Sequence, residues 1–150
     1  LPEKQVGHAY RGGTQFFFRD AGSKVTGLEA RKASGRGKDD LVLRRRLEVG
    51  ASTRELVEVW SFLTDEPSTV FLHEVKAQEG ARVVSNAVRF TGGTIEVSTE
   101  RATGFSASTF KLPPIDGVTP LMVPWGDERE RTYAFQKNAF VLTKTTRSNV

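Results

Sequence analysis

The apolar runs of this chain are short, rich in Val, Ile, Phe and Thr, and cut at close intervals by Gly, Asn, Asp or Pro. A chain punctuated in this way turns back on itself repeatedly and builds β-hairpins rather than long helices. The pattern is clearest at residues 69–77 (TVFLHEVKA), 82–90 (RVVSNAVRF) and 94–100 (TIEVSTE), which are parted by Glu79-Gly80 and by Gly92-Gly93. These pairs supply the backbone conformations that tight hairpin turns need, so the three runs read as an antiparallel meander.

The same rhythm extends in both directions. Gln15 to Asp20 (QFFFRD) and Lys24 to Lys32 flank Ala21-Gly22-Ser23 and read as a first hairpin, and Leu41 to Val49 resumes the strand pattern. Phe105 to Lys111 reads as a further strand, and Arg131 to Gln136 and Ala139 to Thr145 form a last hairpin about Lys137-Asn138. Residues 53–64 carry two patterns. Ser52-Thr53-Arg54-Glu55 is a capping box followed by Leu56, Val59, Trp60 and Leu63 at helical spacing, whereas Val57, Val59 and Leu63 also share one face of a strand. Helix and strand both remain open there. The pattern aromatic-x-Gly-Gly-Thr occurs at 10–14 and 90–94, too few copies to define a repeat.

A length of 150 residues suits a single domain over 1–150. Two segments stand outside its strand pattern: 33–40 (ASGRGKDD) reads as an exposed charged loop, and 112–126 as a Pro-rich, unusually apolar one. No apolar run reaches the ~18 residues of a membrane-spanning helix. Without cysteine the chain has neither disulfides nor thiolate chemistry and fits either redox compartment. The chain starts at Leu1 rather than Met, which fits an exported or processed soluble protein as well as any other, so localisation stays open.

So many antiparallel strands must close into a barrel or split into two sheets, since long open edges invite aggregation. The expected fold is all-β, an antiparallel meander closed into a barrel, with a two-sheet sandwich or jelly roll as the alternative. In its strand pattern the chain resembles the calycin-type barrels, and that resemblance implies a cavity for an apolar or acidic small molecule.

Catalytic signatures are missing. The two histidines, His8 and His73, fall in no HExxH or other metal-ligand spacing, no GxSxG accompanies a serine, and Gly35-Arg36-Gly37-Lys38-Asp39 lacks the spacing of a phosphate loop. No cofactor, metal or catalytic residue is assigned. The function expected is non-catalytic binding of an apolar, possibly acidic, small molecule held in a β-barrel, with a structural or protein-interaction role in an assembly as the alternative and binding of an anionic polymer through the basic first hairpins as a lesser one.

Alternation from Leu41 to Val49 places Arg45 on one face with Leu41, Leu43, Leu47 and Val49, and a guanidinium among aliphatic side chains needs a carboxylate or an anionic ligand. Arg45 is therefore the first candidate ligand contact. His73, between Phe71 and Val75 on one strand face, is the second, and Trp60, Phe62 and Trp125 are candidates to line or cover the site. Arg44 and Arg46 face the other way and, with Arg36 and Lys38, are candidate anion contacts. A net charge of +4 agrees with an acidic partner. Nucleic acid is disfavoured, because the basic segment carries no aromatic residue for base stacking. Three consecutive aromatics, Phe16, Phe17 and Phe18, put side chains on both faces of one strand, and with Leu121 and Met122 of the apolar loop they are candidates for a protein-contact surface.

Overall fold

The computed structural model describes residues 24–35, 39–62 and 66–147. Eight strands follow one another in the order of the chain: β1 (Lys24–Arg31), β2 (Asp40–Val49), β3 (Ser52–Ser61), β4 (Ser68–Glu79), β5 (Arg82–Thr91), β6 (Thr94–Thr99), β7 (Glu128–Gln136) and β8 (Ala139–Arg147). Each pairs antiparallel with the next, so strand order in space is strand order in sequence. Turn chemistry sets the register. Gly80 takes φ 62° between β4 and β5, and Lys137 is held at φ 60° between β7 and β8, a conformation that costs a side-chain-bearing residue some strain.

Closure into a barrel does not occur among the described residues, where β1 has β2 as its one strand neighbour and β8 has β7. The sheet also divides at β5. The first half of this strand, Arg82 to Ser85, pairs with β4, and its second half, Asn86 to Thr91, pairs with β6. Beyond Lys76 the strands β4 and β5 separate, and the sheet divides into halves, β1 to β4 and β5 to β8, which fold over one another. The shared core holds Val42, Val57, Val59, Phe71 and Val75 from the first half and Ile95, Val97, Tyr133 and Phe140 from the second. Phe71 meets Tyr133 and Phe140 edge-on, with ring centroids 5.1 and 5.9 Å away. At one end, the Ala33 carbonyl accepts from the Gly93 amide (2.9 Å) and Arg31 lies over the Phe90 ring.

Residues 52–61 are a strand. β3 sits between β2 and β4 and is buried on both faces, with Val57, Val59 and Trp60 wholly inaccessible, so long-range pairing overrides the capping-box signal. Residues 105–111 form turns instead of the expected strand. The amides of Thr109 and Phe110 donate to the Ser106 carbonyl and the Thr109 hydroxyl accepts from the Ser106 amide, an instance of Ser and Thr competing with the sheet for backbone groups.

The apolar loop 112–126 packs against the sheet over part of its length. It wedges into the gap that β4 and β5 leave: the Thr119 amide donates to the Leu72 carbonyl, the Glu74 amide to the Thr119 carbonyl, and the Asn86 side chain clamps both backbone groups of Met122. A second cluster forms there, of Ala77, Val84, Phe105 and Leu121 with Phe110, Leu112 and Trp125 against it. Of the loop at 33–40, the described residues are exposed only in part. Ala33, Ser34 and Asp40 are buried, and the Asp40 carboxylate accepts from the Ser34 amide at 2.8 Å. The strand expected over Gln15 to Asp20 lies outside the described residues; Lys24–Arg31 pairs with β2.

Candidate functional site

Alternation along β2 sends Val42, Arg44, Arg46 and Glu48 to the face turned toward the shared core. Val42 is covered by the second half of the sheet; Arg44 and Arg46 lie past that cover and are exposed. The cross-strand register then assembles a row that no single segment reveals: Lys24 opposite Arg46, Arg46 opposite Glu55, and Glu55 opposite Lys76. Glu55 Oε2 lies 4.0 Å from Arg46 Nε and 3.9 Å from Lys76 Nζ.

This ledge is electrostatically unbalanced. Four cations, Lys24, Arg44, Arg46 and Lys76, stand with two carboxylates, Glu55 beside Arg46 and Lys76 and Glu48 at the end of the row, and among the described residues neither Lys24 nor Arg44 forms an ion pair. Lys24 faces Arg46 directly, and like charges in that position repel. Glu48 ends the basic run along β2.

Beside the ledge, in the row of Arg44 and Val57, His73 is completely buried. Its Nδ1 donates to the Glu74 carbonyl at 2.8 Å, because a carbonyl can only accept, which leaves the Nε2 lone pair facing Arg131 Nη1 at 3.2 Å. Desolvation, with the Arg131 charge adding to it and the Glu74 carbonyl opposing it, pushes the pKa down to about 4. A neutral imidazole with both nitrogens engaged is a packing and hydrogen-bonding element rather than a proton carrier. Arg131 is held in turn by the Glu128 carboxylate at 2.8 Å. Nearby, a depression of about 200 Å³ is lined by Leu121, Met122, Val123, Gly126, Asp127, Glu128 and Arg131. It is smaller than the ~300–1,000 Å³ of most small-molecule sites.

The other face of β2 to β4 holds two buried ion pairs. Arg45 Nη1 donates to Glu58 Oε1 at 2.8 Å, so the guanidinium among aliphatic residues has its counter-charge within the chain. Arg54 grips Glu74 through Nε (2.7 Å) and Nη2 (3.2 Å), and Nη2 also donates to the Pro113 carbonyl. Burial pushes the Glu74 pKa up, and the Arg54 hydrogen bonds and charge work against that shift.

The candidate ligand contacts do not meet in one cavity. Trp60 and Phe62 pack with Leu41 and Leu43 on the face of Arg45, His73 lies on the opposite face against Phe71 and Tyr133, and Trp125 belongs to the cluster around Phe105. Leu121 and Met122 are buried, so neither presents an open contact surface. Phe16, Phe17, Phe18, Arg36 and Lys38 lie outside the described residues. Of the candidate anion contacts, Arg44 and Arg46 come together on the ledge. Lys24, Glu55 and Lys76 escaped the sequence reading, because their convergence depends on register rather than spacing. No group of His, Asp and Glu among the described residues could hold a metal ion. No described helix is long and apolar enough to cross a membrane. Searches against family models, curated proteins and solved structures returned no match.

Proposed function

We propose that this chain is a non-catalytic binding module that receives an anionic partner on the ledge of β1, β2 and β4. The observation that carries the reading is the charge imbalance: Lys24, Arg44, Arg46 and Lys76 outnumber the carboxylates of Glu55 and Glu48 on one sheet face, with Arg44 and Arg46 exposed. Exposed basic clusters of this kind attract anions at low ionic strength and release them as salt screens the charges. The reading moves from the first expectation, a small molecule in a cavity at Arg45, to the lesser one, an anionic polymer held by the basic hairpin at Arg44 and Arg46. Two features favour that move: the Arg45 charge is met by Glu58, and the core between the sheet halves is filled by aromatic and aliphatic side chains.

The test is fluorescence anisotropy with two labelled polyanions, poly-glutamate and oligothymidylate, against the wild-type chain and the double substitution R44Q/R46Q. At least one probe is expected to bind with an affinity that falls as salt rises, and the double substitution is expected to weaken it and flatten the salt dependence. If neither probe binds at low salt, or the substitutions change nothing, the ledge is not a binding site.

A further inference from the structure

The geometry of the ledge narrows the anionic partner further. Arg44 and Arg46 are alternate residues of one strand, so they project from the same face with a repeat of about 6.8 Å. An extended polypeptide presents its own alternate side chains at the same repeat. The fixed Glu55 carboxylate stands in the row beside Arg46, and Glu48 follows two residues further along β2. Carboxylates spaced two residues apart on an extended segment can fall on Arg44 and Arg46, clear of Glu48. Against a nucleic acid stands the need for stacking: the ledge rows present no exposed aromatic side chain, since His73 in the Arg44 row is buried.

We infer that the partner is an extended acidic polypeptide segment of the form Glu-x-Glu or Asp-x-Asp, lying along β2 with one carboxylate on Arg44 and the next on Arg46, and with Lys24 and Lys76 flanking. The inference rests on the anionic-partner reading and deepens it. Carboxylate-guanidinium contacts are charge-assisted and directional, so the spacing of the acids, and not only their number, is read.

The experiment compares two labelled peptides of equal length, composition and charge, one with Glu and Thr alternating and one with all Glu residues in a block followed by all Thr. Oligothymidylate is the third probe. The alternating peptide is expected to bind about tenfold more tightly than the block peptide, the effect of one well-placed contact. That gap is expected to close in R44Q/R46Q and to reopen in large part in R44K/R46K, which restores the charges. Both arginines are exposed, and the urea midpoint of each variant verifies that the fold is kept. Equal binding of the two peptides overturns the inference and leaves the anionic-partner reading standing. Tighter, Arg44- and Arg46-dependent binding of oligothymidylate does the same. Failure of all three probes removes both.

Discussion

Arg54 and Glu74 are each about 1% exposed, so their ion pair is desolvated and its two halves depend on one another. Glu74→Leu strands the Arg54 guanidinium with the Pro113 carbonyl and is expected to destabilise the fold by about 3–5 kcal/mol in urea denaturation, whereas the joint change R54M/E74L recovers most of that loss. His73 makes stability depend on pH. Its folded pKa of about 4 lies below the 6.5 of the free side chain, so above 6.5 both states are neutral and nothing is lost. As pH falls through this window the unfolded chain takes up a proton that the folded chain refuses, and up to about 3 kcal/mol drains away before the loss levels off near the folded value. Glu74, whose pKa is raised, works in the opposite direction over acidic pH, and Arg131 and Tyr133 also face the imidazole. His73→Gln keeps an acceptor for Arg131 and is expected to flatten the acid side of the stability profile relative to wild type. At this scale the sequence is half legible. Alternation shows that Arg45 sits among aliphatic residues and must be neutralised, but Glu58 is its neighbour only because β2 and β3 pair in one register.

The elements show where local signals prevail and where they yield. Hairpin turns at Gly80, Gly92-Gly93 and Lys137-Asn138 follow directly from their residues, and Lys137→Gly is expected to stabilise the chain by up to about 1 kcal/mol by relieving a positive φ. The capping box at 52–55 is overruled because β3 is central and doubly buried, a fact that belongs to its neighbours and not to its own composition. The loop 112–126 is apolar because it fills the breach between β4 and β5, which nothing in its sequence announces. Asn86 is the residue that fastens it. Asn86→Ala leaves both backbone groups of Met122 without their clamp and is expected to cost about 1–3 kcal/mol, with faster amide exchange at Thr119 and Met122 as the local readout. The edge strands carry protection of their own: the β7–β8 register shifts at Thr132/Tyr133 close to Lys144, and the β1–β2 register shifts between Val25 and Gly27.

Over the whole molecule, the all-β meander was readable from period and punctuation, and closure was not, because closure depends on whether the two end strands meet. The ledge was readable by half for the same reason: Arg44 and Arg46 show themselves by alternation within one strand, while Lys24 and Lys76 join them only across the sheet. The strand β5 has a consequence for how the chain reaches this state. Since each strand pairs with its successor, most of the sheet grows from nearby contacts with short loops to close, and such topologies fold without a long conformational search. β5 belongs to both halves, so neither half is complete until it is in place, and the sheet is expected to melt in a single transition. The wedge at 119–122 is different. It reaches back across the chain to Leu72 and Asn86, and so it is the part expected to dock last and to loosen first.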